Sequence, residues 1–301
     1  MNETGTRSEY PGLPDRLFAL LLYLLPHHLL SSAMYWLTRS RWFPLKNLMI
    51  RSAIRIYRVD MGIAEEPDPE HYPSFNAFFT RALRPGARPV TRGRASIASP
   101  VDGTLSQAGT IRQGRIIQAK GQYYSARELL GGDPRLAEHY DEGHFATIYL
   151  SPRDYHRIHM PFGGVLKQMI HVPGRLFSVS PSTTRAVPCL FSRNERVISL
   201  FETGFGPMAV VMVGAIFVAS MDTAWAGTVA PLARRISHWD YSGTPPEPVE
   251  LEKGEEMGRF NMGSTVILLF PAGKVTWSEN LRPGTPLKMG EQIGAFQIPQ
   301  P

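Results

Sequence analysis

The segment GRFNMGSTVILLF, Gly258 to Phe270, is the part of the chain that most strongly decides the predicted fold. From Thr265 to Phe270 it is an unbroken run of β-branched and apolar residues, which is typical of a strand buried on both faces. The pair Gly263–Ser264 stands at the start of this strand. Glycine and serine are ordinary turn residues, so the pair predicts either a simple turn or a site at which the backbone itself reacts.

Similar short runs recur from about Pro85 onward, separated by Gly, Pro and Asp. The 301 residues include 27 Gly and 26 Pro, which favours many turns and short strands over a helical bundle. The stretch from Met208 to Ala219 is apolar apart from Gly214 and predicts one strand buried on both faces. The runs that predict strands are GRIIQAKG (114–121), HFATIYLS (144–151), RVISLFET (196–203), MAVVMVGAIFVASM (208–221) and STVILLF (264–270).

Two segments share the pattern L-x-x-G-E-x-x-G-x-F. Leu251–Phe260 reads LEKGEEMGRF and Leu287–Phe296 reads LKMGEQIGAF. Two copies of a glycine-punctuated unit predict paired, pseudo-symmetric hairpins. We therefore predict an α+β fold, with a β-rich core of sandwich or barrel type preceded by N-terminal amphipathic helices.

The N-terminal 60 residues differ from the rest of the chain in charge. The net charge is +6, yet the segment from residue 16 to residue 58 has no Asp or Glu and contains seven basic residues: Arg16, Arg39, Arg41, Lys46, Arg51, Arg55 and Arg58. Basic residues interleaved with aromatic residues and an apolar helical stripe are typical of helices that lie in a membrane interface. We predict a membrane-associating helical module over 1–60 and a catalytic β-rich domain over 61–301.

The apolar run Leu17 to Leu25 is too short to span a bilayer, which needs about 20 residues. The predicted location is therefore peripheral. An alternative is a helical subdomain that packs on the core and leaves its arginines in solvent. Nucleic acid is not a predicted partner, because the segment is too rich in leucine for a surface that follows phosphates.

Four residues could carry chemistry, namely Asp102 in SPVDG, His156 and His159 in RDYHRIHMP, and Ser264 in MGST. A serine needs a base, for which a neutral imidazole is suited near pH 7, and a carboxylate can orient that imidazole. Each has a plainer interpretation, a turn aspartate or surface histidines. The single cysteine, Cys189, excludes a disulfide framework. We predict no metal ion, since a third ligand at suitable spacing and an HExxH motif are absent from the sequence.

The sequence resembles the bacterial, pyruvoyl-dependent phosphatidylserine decarboxylases over most of its length. The matching motifs occur in the family's order. They are FNAFFTR (75–81), SPVDG (99–103), QAKGQYYS (118–125), YLSPRDYHRIHMP (149–161), PGRLFSV (173–179), NERV (194–197), FGPMA (205–209) and GRFNMGSTVILLF (258–270). Met262 departs from the leucine usual in this family. The change conserves apolar volume, so we expect no loss of function from it.

The resemblance implies that the chain cuts itself between Gly263 and Ser264, into a large β chain (1–263) and a small α chain (264–301) that form a heterodimer. Ser264 would attack the carbonyl of Gly263 and end as a covalent pyruvoyl group. His159 would act as base, with Asp102 orienting it, and His156 would be the proton donor of the later reaction. Glycine at 263 would let the oxygen approach through a backbone geometry closed to other residues.

The resemblance further implies the reaction. The pyruvoyl group would form a Schiff base with the amine of phosphatidylserine, accept the electrons left as CO₂ departs, and give phosphatidylethanolamine for phospholipid biosynthesis. The enzyme would lie on the cytoplasmic face of the cell membrane. The competing hypotheses are a membrane-associated serine hydrolase with an Asp102/His159/Ser264 triad, a lipid-binding module without catalysis, and a metal-dependent enzyme.

Overall fold

The computed structural model describes residues 11–216, 220–230, 235–243 and 248–298. The helices are α1 (Leu13–Leu24), α2 (His27–Arg39), α3 (Phe43–Tyr57), α4 (Phe75–Phe79), α5 (Ala126–Leu129), α6 (Pro134–Glu138), α7 (Pro181–Ala186) and α8 (Leu190–Arg193).

The strands are short, as the spacing of glycine and proline predicts. They are β1 (Ser96–Ala98), β2 (Gly103–Thr110), β3 (Arg115–Ala119), β4 (Gln122–Ser125), β5 (His144–Leu150), β6 (Arg157–His159), β7 (Gly164–Val172), β8 (Arg196–Thr203), β9 (Gly206–Val213), β10 (Met221–Thr223), β11 (Gly227–Ala230), β12 (Ser237–Asp240), β13 (Glu250–Leu251), β14 (Glu256–Phe260), β15 (Ser264–Phe270), β16 (Val275–Trp277), β17 (Pro286–Leu287) and β18 (Gln292–Phe296).

The largest sheet is antiparallel and places β15, the strand that follows Gly263, near its centre. Its order is β12-β7-β8-β9-β15-β5-β2-β17, and β13 also pairs with β7. Every residue of β15 is buried, as its sequence predicts. Smaller sheets have the orders β11-β10-β14-β6, β1-β18-β16 and β3-β4. The predicted α+β class, with N-terminal helices before a β-rich region, is confirmed.

One strand prediction was too long. The strand predicted from Met208 to Ala219 ends at Val213, because the chain leaves the sheet at Gly214. There the backbone N–H of Gly214 donates to the carbonyl of Glu195, and the side-chain amide of Asn194 donates to the carbonyl of Gly214. An apolar run cannot report such non-local hydrogen bonds. Residues 217–219 lie outside the described part of the chain.

The two copies of the L-x-x-G-E-x-x-G-x-F pattern have the same local structure. In each copy a two-residue strand, β13 or β17, leads through a tight turn into a five-residue strand, β14 or β18. The turn glycines Gly254 and Gly290 have φ of 89° and 88°, a region that side chains disfavour. In both copies the following glutamate accepts a hydrogen bond from the backbone N–H three residues earlier, at 2.7 and 2.9 Å. Both turns approach Pro89–Val90.

The N-terminal helices pack against the β-rich region. Ala19 and Leu22 of α1 belong to the main core, and Asp15 forms an ion pair with Arg185 of α7 at 3.2 Å. Helices α3 and α4 contribute to a second apolar group, called here the α3–α4 cluster: Ile50, Ala53, Val59, Tyr72, Phe75, Phe78 and Phe79. The helices therefore pack on the core, as the alternative of a helical subdomain requires. The domain boundary at residue 60 stays a prediction.

Within the described residues, no single helix is both long and apolar enough to cross a bilayer. Helices α1 and α2 together reach the length and composition of a span, but they meet at 83°.

Candidate active site

All four residues singled out from the sequence lie at one end of the central strands. Ser264 begins β15 and pairs with Leu150, the last residue of β5. The histidines follow β5 in the chain, and Asp102 immediately precedes β2, which pairs with β5 on its other side. Strand β14 leads into Gly263–Ser264 and pairs with β6. Strand β6 contains His159 and begins directly after His156. The antiparallel sheet therefore gathers residues that are far apart in sequence.

Ser264 is fully buried, and its hydroxyl oxygen has no hydrogen-bond partner within the described residues. Leaving a buried hydroxyl unpaired costs about 1–3 kcal/mol. The hydroxyls of Thr265 and Ser199 are unpaired as well, so it is the position of Ser264 directly after Gly263 that makes its hydroxyl a candidate for chemistry. In this structure the hydroxyl is not bonded to His159, and a preformed Ser-His pair is therefore absent.

Gly263 does not have the unusual backbone geometry expected from the sequence. Its φ is not in the left-handed region, and a Cβ added to it would lie 3.7 Å from the carbonyl oxygen of Leu150, an ordinary van der Waals distance. The expectation was wrong in this respect: in the uncut chain neither φ nor neighbouring atoms require glycine at 263.

His156 is buried, and its imidazole is held by one nitrogen. Nδ1 donates to the carbonyl of Asp154 at 2.8 Å, which leaves the lone pair on Nε2, and Nε2 has no partner within the described residues. The Phe79 ring lies 4.0 Å from the imidazole centroid. Burial lowers the pKa of His156 to about 3, so this imidazole is neutral at physiological pH. It offers an unpaired basic nitrogen in a water-poor site.

Both nitrogens of His159 are occupied. Nδ1 donates to the carbonyl of Gly254, in the first repeat turn, at 2.8 Å. Nε2 therefore accepts from the hydroxyl of Tyr155 at 2.9 Å. Burial lowers the pKa of His159 and raises the pKa of Tyr155 to about 12. The pair is thus a neutral imidazole and a protonated phenol, with Nε2 as the basic nitrogen.

Asp102 is bound by cations and by the second repeat turn. Arg88 donates to its two carboxylate oxygens at 2.8 and 2.6 Å, and the backbone N–H of Met289 donates at 2.9 Å. The ammonium of Lys288 lies 3.6 Å away. The expected hydrogen bond from His159 to Asp102 is not present, because Arg88 offers the stronger, bidentate partner. Burial lowers the pKa of both histidines, and the charge of the Asp102 carboxylate offsets a small part of that lowering.

Sequence reasoning missed Arg88, Tyr155 and the carbonyl of Gly254 as parts of this site. Tyr155 stands between the aspartate and histidine of RDYHRIH and could have been suspected from that position. The L-x-x-G-E-x-x-G-x-F repeat was the other sequence feature that pointed to this site. Its first turn bonds His159 through the Gly254 carbonyl, and its second turn bonds Asp102 through the Met289 N–H. Within the described residues no three His, Cys, Asp or Glu side chains form a group that could hold a metal ion.

A buried hydroxyl, two neutral imidazoles and a fixed carboxylate at one end of a sheet define an enzyme-type site. The family described as phosphatidylserine decarboxylase matches residues 75–295, and a second, described as PSD, matches residues 17–58. The chain belongs to the phosphatidylserine decarboxylase family.

Curated relatives support the same assignment. The chain is 54% identical to the phosphatidylserine decarboxylase proenzyme of Azotobacter vinelandii over 95% of this chain and 100% of the relative. It is 52% identical to the phosphatidylserine decarboxylase proenzymes of Bordetella avium, over 94% and 95% of the two chains, and of Stutzerimonas stutzeri, over 95% and 96%.

Proposed function

We propose that this chain is a proenzyme that cuts itself between Gly263 and Ser264 and then decarboxylates phosphatidylserine to phosphatidylethanolamine. The observation that carries the proposal is the buried, unpartnered hydroxyl of Ser264 at the start of a central strand, in a chain whose relatives are named proenzymes of this activity.

The self-cleavage is an N-to-O acyl shift followed by elimination. The hydroxyl oxygen of Ser264 attacks the carbonyl carbon of Gly263, the peptide C–N bond breaks, and an ester and a free amine result. Loss of the α-proton of Ser264 then expels the Gly263 carboxylate and leaves dehydroalanine. Water hydrolyses this residue to a pyruvoyl group with release of ammonia.

The proposed base for the cleavage is His159, acting through Nε2. In the uncut chain this nitrogen holds the Tyr155 hydroxyl, so the serine proton reaches His159 either through that hydroxyl or after it has moved aside. Asp102 does not orient the imidazole directly. Its charge, fixed by Arg88, favours the imidazolium that forms.

The residues around Ser264 suit a pyruvoyl group. Ser264 is buried, and His156 at the same end of the sheet has an unpaired basic nitrogen. Such a group supplies a carbonyl that takes up the electrons released as CO₂ leaves. His156 is neutral at rest, so it takes a proton at Nε2 from the substrate ammonium and later returns that proton to the α-carbon of the product.

The two products of cleavage stay together in this proposal. Strand β15 begins at Ser264 and lies between β5 and β9, both of which belong to the large chain. All seven of its side chains are buried. Separating the small chain would expose this apolar surface to water, so a heterodimer is the expected product.

The lipid substrate requires access to a bilayer, and the N-terminal helices provide a suitable surface. We propose peripheral binding at the cytoplasmic face. Large apolar side chains of α1, α2 and α3 and of the α2–α3 connection are more than half exposed: Leu13, Leu17, Leu20, Leu21, Leu24, Leu29, Trp36, Trp42, Phe43, Leu48 and Ile56. Basic residues share these helices, and anionic lipid attracts them.

The experiment is an intact-mass measurement of the purified protein before and after borohydride treatment. We expect chains 1–263 and 264–301, with the small chain gaining two hydrogen atoms when its ketone is reduced. A folded, uncut chain would overturn the proposal. Labelling of Ser264 by a serine-directed acylating probe would then favour the hydrolase.

A further inference from the structure

A buried hydrogen-bond network joins helix α2 to the residues just before the Gly263–Ser264 bond. The side-chain amide of Asn261 donates to the Ser220 hydroxyl at 2.6 Å and to the Ser220 carbonyl at 3.2 Å, and the Asn261 backbone N–H also donates to that carbonyl, at 3.1 Å. The side-chain amide of Asn76, in α4, donates to the side-chain oxygen Oδ1 of Asn261 at 3.0 Å. Arg39, the last residue of α2, donates to the Ser220 hydroxyl at 3.0 Å.

The network is buried at its centre and anchored at its edge. Asn261 is 1% and Ser220 2% exposed. The Arg39 guanidinium also stacks on the Tyr35 ring, with 3.7 Å from its central carbon to the ring centroid. An arginine fixed in this way loses little further side-chain freedom when it donates to Ser220. The contact therefore connects the end of α2 rigidly to Asn261.

Packing reinforces the connection at the next residue. Met262 packs against the α3–α4 cluster, which includes Ile50 and Ala53 of α3, and also against the main core. Both residues before Gly263 are therefore held by contacts that involve the N-terminal helices. Beyond the bond, Ser264 is fixed by its pairing with Leu150.

We propose that Asn261 is a positioning residue for self-cleavage. Through Arg39, the rate of cleavage would then depend on whether helix α2 is packed in the position that lets Arg39 donate to Ser220. The inference rests on the proposed function. The acyl shift needs the Ser264 oxygen near the Gly263 carbonyl carbon, and a displacement of about 1 Å can slow such a step by about 100-fold. Releasing Asn261 frees the carbonyl side of the bond while β15 still holds the serine side.

The neighbouring arginine supplies a matched control. Arg41 carries the same charge two residues further along but is exposed, and it makes no hydrogen bond or ion pair with the described residues. If these arginines affected cleavage only through general charge or membrane attraction, Arg39→Ala and Arg41→Ala would act alike.

The test follows cleavage of newly made chains in a cell-free translation system without lipid, by gel separation of the 301-residue chain from its fragments over time. We expect Arg39→Ala and Asn261→Ala each to slow cleavage by about tenfold or more, a modest displacement on the scale above. Arg41→Ala should stay within about twofold of wild type, and Arg39→Lys should restore part of the rate.

A positioning role also predicts the form of the pH–rate profile. The variants should lose rate equally at all pH values and keep the wild-type midpoint, because the base is unchanged.

Thermal unfolding of each variant in the uncut Ser264→Ala background shows whether it folds. If a variant fails to fold, Ser220→Ala, which removes only the hydroxyl that Arg39 and Asn261 share, takes its place with the same expected loss of rate. Cleavage of folded Arg39→Ala at the wild-type rate, or equal slowing by Arg41→Ala, would overturn the inference. A wild-type chain that does not cut would instead overturn the proposed function.

Discussion

His156 and His159 are three residues apart and are both neutral, yet their free nitrogens differ. Nε2 of His156 is unpaired, whereas Nε2 of His159 holds the Tyr155 hydroxyl. The base for self-cleavage acts once on a serine of its own chain, whereas the proton-transfer group of the lipid reaction must be open to each new headgroup. This difference supports assigning His159 to maturation and His156 to turnover.

Replacing His156 with alanine should leave self-cleavage intact and lower decarboxylation by about 10²–10⁴-fold, the usual effect of removing a proton-transfer group. Gel analysis reports cleavage, and CO₂ release reports turnover. His144→Ala is the control, because His144 lies at the opposite end of β5. An uncut His156→Ala chain would show that the two roles are assigned wrongly.

Replacing Tyr155 with phenylalanine removes the hydroxyl that donates to Nε2 of His159. That hydrogen bond favours the neutral imidazole, so the pKa of His159 should rise. The acid limb of the pH–rate profile for cleavage should therefore move to higher pH. Tyr149→Phe, on the neighbouring strand β5, should leave the profile unchanged. An unshifted profile for Tyr155→Phe would mean that the hydroxyl does not act on the reacting imidazole.

At the scale of elements, the paired turns of the repeat explain how two small segments support one site. The first turn supplies the Gly254 carbonyl to His159, and the second supplies the Met289 N–H to Asp102. Both turns pack on Pro89–Val90, directly after Arg88, which binds Asp102. The repeat thus places its two turns on either side of the same chain segment.

Substitution of Gly290 tests this arrangement. Both Gly290 and Gly284 have positive φ, 88° and 91°, but a Cβ at Gly290 would lie 2.5 Å from the Pro89 carbonyl oxygen, whereas Gly284 has open space. Gly284→Ala should cost about 1–2 kcal/mol for its backbone conformation. Gly290→Ala should cost about 1–3 kcal/mol more for the clash. Urea unfolding of the Ser264→Ala chain measures both, and equal losses would contradict the crowding.

The exposed apolar side chains of the N-terminal helices predict membrane binding. Trp36→Ser combined with Leu24→Ser should weaken sedimentation with vesicles containing phosphatidylglycerol by roughly tenfold, since these residues are 75% and 76% exposed and free to enter the lipid. Salt should weaken binding of the unmodified protein. Tyr123→Ser, on strand β4, is the control, and an equal loss from it would argue against a specific surface.

At the scale of the whole molecule, the proposed cleavage site lies next to a strand whose seven residues are all buried. In the large sheet β15 lies between β9 and β5, so the proposed cut requires a fold that forms first and then survives the loss of the Gly263–Ser264 bond. Placing the bond before the first residue of the strand, rather than within it, leaves the hydrogen-bond ladder of β15 in one piece.

Acid should destabilise the uncut chain through His156. Its pKa falls from 6.5 to about 3 on folding because of burial, so the unfolded chain binds one more proton between these values. Stability is therefore full above pH 6.5 and falls by about 1.4 kcal/mol per pH unit below it. Urea unfolding of Ser264→Ala protein at pH 7.5 and 5.5 measures the loss. His156→Gln should reduce the pH dependence, whereas the exposed His139→Gln should leave it unchanged.

The sequence by itself determined the α+β class, the buried strand from Ser264 to Phe270, the repeat and the four candidate residues. These follow from local pattern, since the period of apolar residues and the positions of glycine are fixed along the chain. Only the tertiary structure decided which groups meet. Arg88 rather than His159 binds Asp102, and the Tyr155 hydroxyl donates to Nε2 of His159. Strand β9 ends at Val213, because Gly214 bonds outside the sheet. Each of these depends on hydrogen bonds between distant segments, where competition among partners is settled by geometry that a one-dimensional pattern does not contain.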